Sequence, residues 1–152
     1  MIEFEVIGDP VGQGNLRAFE HKGRVITATS NAGKLSRWRT DVRAAFDGAI
    51  LGHGSYQWPR RCPVDMVVEF RIRRPKGHYL PANRSRPAPE LRLDAPTWHT
   101  GSPDLDKLTR AMFDALTLKA YADDALVVRV KAHKVYSERP GATVRISDAA
   151  AS

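Results

Sequence analysis

The sequence predicts an α/β (α+β) fold in which helices pack on a mixed β-sheet, and three observations predict it. Apolar residues alternate with polar ones at Ile2, Phe4 and Val6, and again at Val64, Met66, Val68, Phe70 and Ile72, which is the period of a half-buried strand. Leu35, Trp38, Val42, Phe46 and Ala49, and then Leu105, Leu108, Met112 and Leu116, recur at helical spacing. The resulting order of strand, strand, helix, strand, loop, helix, strand, strand suits a sheet covered by helices. At 152 residues, with neither an internal repeat nor a linker, residues 1–152 are expected to form one domain.

The first strand, Ile2 to Val6, stops at Gly8-Asp9-Pro10, and Gly12-Gln13-Gly14-Asn15 is turn material. Arg24 to Ala28 is short and β-branched, so a second strand pairing back on the first is expected. A helix follows from Leu35, with Ser30 or Asn31 as its cap, and ends near Leu51-Gly52, where glycine suits a helix C-terminus. Residues 64–73 are the clearest strand. From about 75 to 103 prolines and basic residues break every period, which predicts a long loop. Its cations Lys76, His78, Arg84, Arg86 and Arg92 suit contact with a substrate, although a tolerated surface insertion accounts for the segment equally well. A second helix is expected from about Leu105 to Leu118, then a turn at Tyr121-Ala122-Asp123-Asp124. A strand from Leu126 to Tyr136 carries Arg129, Lys131 and His133 on one face, and a short one holds Ala142, Val144 and Ile146. Ser147 to Ser152 are expected to fray.

A formal charge of +7 points first to a polyanionic partner, nucleic acid above all, because Lys and Arg displace counterions from phosphates. Charge that serves solubility alone is the plainer reading. Cys62 is the single cysteine, which excludes an intrachain disulfide and a cysteine-rich zinc site. No apolar run approaches the roughly 20 residues that span a bilayer, and the opening Met-Ile-Glu-Phe-Glu-Val lacks the pattern of a signal peptide. A cytoplasmic protein with no membrane partner is therefore expected.

Asp104 and Asp106 are separated by one residue. In extended chain that spacing points both carboxylates to the same side, where they can grip one cation, whereas within a helix it turns them roughly 200° apart. A shared site thus requires the helix to begin after Asp104. The sequence offers two starts, Ser102 as cap with Pro103 in the first turn, or Asp104 or Asp106 as cap, and the second is favoured. Aspartates that merely cap the helix and complement its dipole are the competing reading. The next carboxylates, Asp123 and Asp124, follow the helix, and a returning strand can bring them either to its start or to its opposite end. Oxygen-only ligation suits Mg²⁺ or Mn²⁺. His99 lies close in sequence to Asp104 and is read first as a loop histidine.

The stretch Asp104-Leu105-Asp106-Lys107-Leu108, then Arg110, Phe113-Asp114-Ala115-Leu116, Asp123-Asp124 and Val127-Val128, resembles the RusA family of Holliday junction resolvases. The resemblance is strongest over about 102–136. Pro10-Val11-Gly12-Gln13-Gly14 is more weakly similar to a family N-terminal loop, and Arg74-Pro75-Lys76-Gly77-His78-Tyr79 to a segment of some phage members. It implies Mg²⁺-dependent paired cleavage of four-way DNA junctions by a homodimer, in a bacterial cell and commonly from a phage or prophage. The family's essential aspartates fall on Asp104, Asp106 and Asp124, and its catalytic lysine falls on Arg110. Arginine keeps the charge but does not deprotonate, so a phosphate-holding role transfers better than a proton-transfer role. Lys107 stands where an asparagine is common and is a source of the missing ammonium, while Asp114 is expected to brace Arg110. Lys76, His78, Arg84, Arg86, Arg129, Lys131 and His133 are the expected DNA contacts. Two rivals remain open, a metal-dependent nuclease acting on flaps or single strands and a non-catalytic DNA-binding protein.

Overall fold

The computed structural model describes residues 1–14, 16–29, 31–52 and 58–149. Its elements run β1 (Ile2–Ile7), β2 (Leu16–His21), β3 (Arg24–Thr29), α1 (Ala32–Ile50), β4 (Val64–Arg73), β5 (Tyr79–Leu80), β6 (Glu90–Leu91), α2 (Leu105–Leu116), β7 (Val127–Ser137) and β8 (Gly141–Asp148). The fold is the mixed α+β arrangement that the periodicities predict. Four strands form one sheet in the order β1-β8-β4-β7. β8 is antiparallel to both of its neighbours, with Ile146 opposite Ile2 on one side and Met66 on the other. β4 and β7 are parallel, with Met66 opposite Val130. A parallel pair needs a crossover, and the long connection that contains α2 supplies it.

One face of this sheet is apolar and dry. Ile2, Phe4 and Val6, then Val64, Met66, Val68 and Phe70, then Ala142, Val144 and Ile146 meet Leu35, Trp38, Val42 and Phe46 of α1, together with Leu108, Ala111, Met112, Ala115 and Leu116 of α2. Phe46 packs edge-on against Phe4 at 5.7 Å and Trp58 at 5.2 Å between ring centroids. Truncating so buried an aromatic costs about 3–5 kcal/mol, from lost burial and the cavity left behind. The opposite face is polar and tied by ion pairs, Arg145 with Glu3, Arg71 with Glu5, Arg129 with Asp65 at 3.1 Å and His133 with Glu69 at 3.0 Å. Gly141 lies where β8 crosses β1, and a Cβ there would stand 2.1 Å from the Val6 carbonyl oxygen, so only glycine fits.

Several expectations need correction. β3 does not pair back on β1. It pairs with β2 in a hairpin closed by Lys22 and Gly23, both at positive φ, while β1 pairs with β8. A local two-residue turn closes that hairpin at little entropic cost, and the sequence reading missed β2 altogether. The cap of α1 is Asn31, which makes no side-chain capping bond; the other candidate, Ser30, lies outside the described residues. α2 ends at Leu116 rather than Leu118, because Thr117 is extended and Leu118 has positive φ. Ser147 and Asp148 do not fray but complete β8, and the loop at 75–103 contains the small β5–β6 hairpin. No described helix is long and apolar enough to cross a membrane.

Candidate active site

The segment before α2 is fastened to the sheet. Thr97 and His99 bond to the outer edge of β7, through Tyr136 N–H to the Thr97 carbonyl (2.8 Å) and His99 N–H to the Lys134 carbonyl (3.2 Å). The Lys134 ammonium then donates to the carbonyls of Gly101 (2.6 Å) and Pro103 (2.7 Å), holding the chain that leads into Asp104. Tyr136 lies between two imidazoles, with ring centroids 4.7 Å from His78 and 4.8 Å from His99. The long loop is therefore anchored at both flanks by one β7 tyrosine. His99 is only 8% exposed, and burial, followed by the nearby Lys134 charge, holds its pKa below the ordinary histidine value.

Asp104 is the N-cap of α2, with φ −69° and ψ 146°, so it is extended and precedes the helix as a shared site requires. Its carboxylate makes no capping hydrogen bond, which leaves the oxygens to other work. The Lys107 ammonium stands 3.0 Å from Asp104 Oδ2. That hydrogen bond, and then the ammonium's charge, holds the Asp104 carboxyl below the usual carboxylate range. Lys107 is raised in turn, first by its bond to Asp104 and also by the charge of Asp106. The ammonium is thus paired with Asp104, while the exposed Asp106 has no ion pair among the described residues. Arg110, one turn beyond Asp106, is exposed and forms no hydrogen bond or ion pair among the described residues.

Asp124 lies elsewhere. It opens the short 3-10 turn Asp124–Leu126 that feeds β7, just after Tyr121, whose hydroxyl donates to the Phe113 carbonyl near the C-terminal end of α2. A 12-residue helix spans about 18 Å, and that length separates the two acidic ends. Among the described residues no three His, Cys, Asp or Glu side chains converge on a point that could hold a metal ion. The donor chemistry suits a hard divalent cation, but in one chain only Asp104 and Asp106 stand at the head of α2. Asp114 does not brace Arg110; it is held by Arg39 of α1.

The expected DNA contacts scatter. Arg129, Lys131 and His133 project from the polar face of the sheet, opposite the helices and α2, and two of them are engaged with Asp65 and Glu69. Arg86 folds back onto the Pro81 carbonyl at 2.8 Å, and His78 is packed on Tyr136. Lys76 lines a mostly apolar cavity of about 610 Å³ with Tyr79, Pro81 and Pro89, and Arg84 is exposed on the loop.

Sequence reasoning gave residues 10–14 only a weak similarity to a family N-terminal loop and no contact, whereas in the structure this loop covers the start of α2. Gln13 N–H donates to the Lys107 carbonyl at 2.9 Å, and the Asn31 amide donates to the Gly12 carbonyl at 3.0 Å. A Cβ on Gly12 would meet Lys107 Cβ at 3.1 Å and Pro103 Cβ at 3.3 Å, so the glycine lets two backbones approach. The Gly12-Gln13-Gly14 turn was the signal in the sequence; what it touches was not.

A family model described as endodeoxyribonuclease RusA matches residues 8–147. An uncharacterized protein of Bacillus subtilis (strain 168), YqaN, is 29% identical over 153 residues, which is 99% of this chain and 98% of that protein.

Proposed function

The chain belongs to the RusA endodeoxyribonuclease family, and on that premise we propose that it resolves four-way DNA junctions by divalent-metal-dependent, paired hydrolysis of phosphodiesters in a bacterial cytoplasm. The observation that carries this reading is the pair Asp104 and Asp106 at the head of α2, solvent-facing, with Asp104 free of capping duty and paired with Lys107. Adjacent carboxylates repel phosphate, so a DNA-binding surface gains from them only when a cation joins the two.

Mg²⁺ or Mn²⁺ held by these carboxylates would supply a polarised water and charge relief at phosphorus. The chain's own residues do the rest. Asp104 stays ionised under mildly acidic conditions because Lys107 stabilises its charge. Lys107 supplies an ammonium beside the cleavage point, and Arg110, free and one turn along the same helix, is placed to hold the scissile phosphate through its planar donors.

Asp124, the third aspartate implied by the family, is at the other end of α2, so its participation requires a second copy. A homodimer also matches the two strands that a junction presents for cutting. The outer edge of β7 suits such a seam. Thr97–His99 cover it only around residues 134–136, and Val128 (60% exposed) and Val130 (45%) remain open. Antiparallel pairing of two β7 edges about Val130 would carry Asp124 of each chain toward the partner's α2 start.

The test is cleavage of a labelled four-way junction beside a linear duplex and a flap, with and without Mg²⁺. Symmetric paired nicks in the junction alone support the reading, whereas preferential cutting of the flap assigns the chain to another nuclease class.

A further inference from the structure

The covering loop leaves a cleft of about 490 Å³ between residues 9–14, the first turn of α1 and the head of α2. Its lining includes Asp9, Gly12, Asn31, Lys34, Ser102 and Lys107. The charges in it are already partly assigned. Asp9 is neutralised by Arg73, whose guanidinium donates to its two oxygens at 3.1 and 3.3 Å. Lys107 is engaged by Asp104. Lys34 is exposed and, among the described residues, has neither an acid partner nor a hydrogen bond, so the cleft retains one uncommitted positive charge.

We propose that this cleft seats a backbone phosphate of the DNA strand being cut, next to the scissile one, with Lys34 as its ammonium. The inference rests on the nuclease reading and names a substrate contact that the family motif around Asp104 does not contain. Geometry supports it in three ways. The cleft opens directly beside Asp104, since Ser102, Pro103 and Lys107 belong to both. Its walls are fixed to one another by the Gln13–Lys107 and Asn31–Gly12 hydrogen bonds, so a phosphate there has a set position relative to the carboxylates. It also meets, at Gln13, a second hollow of about 350 Å³ along α1, where Arg39 is paired with Asp114 but Arg43, bonded to the Ala115 carbonyl, keeps its charge. Lys34 is thus a positioning residue that sets where the strand lies.

The experiment measures the affinity of a labelled junction by fluorescence anisotropy in EDTA across a salt series, for wild type, Lys34→Gln, Lys34→Arg and Arg145→Gln. Steady-state cleavage in Mg²⁺ is run alongside. Loss of one phosphate contact lowers the slope of log affinity against log salt by about 0.9. That drop is expected for Lys34→Gln, with KM raised, kcat kept within about two-fold, and recovery in Lys34→Arg, because a point charge suffices for a single phosphate. Arg145→Gln, on the far face of the sheet and paired with Glu3, should leave the slope unchanged. An unchanged slope in Lys34→Gln, or an equal drop in Arg145→Gln, overturns the seat even if wild type cuts junctions normally. Wild type that binds DNA with the expected Lys34 dependence but never cuts keeps the seat and overturns the nuclease reading instead.

Discussion

The two ends of α2 are both acidic, yet the protein uses them differently. At the C-terminal end the carboxylates other than the exposed Asp124 are absorbed by the fold. Asp114 is held by Arg39, Asp47 of α1 takes the Lys119 ammonium at 2.8 Å, and Asp123 accepts from the Ala125 N–H to start the turn into β7. At the N-terminal end Asp104 occupies the capping position without capping, and Asp106 faces solvent beside it. Composition does not distinguish these groups. What distinguishes them is what they are tied to: Asp114 and Asp47 cross-link α1 to the end of α2, whereas Asp104 meets only Lys107 of its own helix and stays open to a ligand.

The sharpest way to break this comparison is to exchange charge for amide at each end. Asp104→Asn and Asp106→Asn should each lower kcat on the order of 100- to 1,000-fold while leaving the melting temperature near that of wild type. Asp114→Asn should retain most cleavage and lose about 1 kcal/mol of stability or less, since its pair with Arg39 is partly screened by solvent. Single-turnover cleavage and thermal unfolding on the three variants decide it, and full turnover in Asp104→Asn would remove that residue from the site. Asp124→Asn is the informative exception, because dimer formation predicts a loss like that of Asp104→Asn from a residue at the structural end.

A charge on the open β7 edge tests whether the two ends meet across a dimer. If the proposed dimer forms through this edge, wild type sediments as a dimer at micromolar concentration and Val130→Lys as a monomer, with circular dichroism unchanged because Val130 is half exposed. Paired nicking of junctions should fall with the dimer. A variant that stays dimeric places the seam elsewhere.

A smaller effect concerns the ammonium at the functional end. Lys107 lowers the Asp104 pKa, so Lys107→Ala should let that carboxyl return toward about 3.9 and begin to protonate sooner on acidification. The acid limb of the kcat/KM profile then moves to higher pH. An unmoved limb would separate Lys107 from Asp104 function.

The smallest effect expected is in stability. His99 has a lowered pKa in the fold, so the unfolded chain binds its proton first. Stability should therefore decline as pH falls below about 6.5, and level off below the lowered value. His99 Nδ1 is buried with no hydrogen-bond partner among the described residues, which is why charging the ring is unfavourable. Melting temperatures from pH 7.5 to 5 should flatten in His99→Asn. An equal slope in both proteins assigns the acid sensitivity to other groups.

How far the sequence reached differs element by element. β4 was legible to the residue because alternating apolar side chains in a central strand report directly which face is buried. α1 and α2 were legible for the same reason at period 3.6, and Asp-Leu-Asp at the head of α2 marked the candidate centre before any coordinates. Strand partners were not legible, since β1 pairs with β8 about 140 positions away and register over such distances depends on total packing rather than on local pattern.

The sequence by itself therefore determined the two helices and the strands of the main sheet, the basic balance, the hard oxygen donors and the family, all of which depend on residue type and short spacing. Only the tertiary structure decided that Asp124 stands a helix length from Asp104, that Arg129, Lys131 and His133 face away from α2, and that Gly12 and Lys34 border the candidate centre. These are distances between residues far apart in the chain. They are set by which sheet face the helices cover and which way each strand runs, and no local period encodes either.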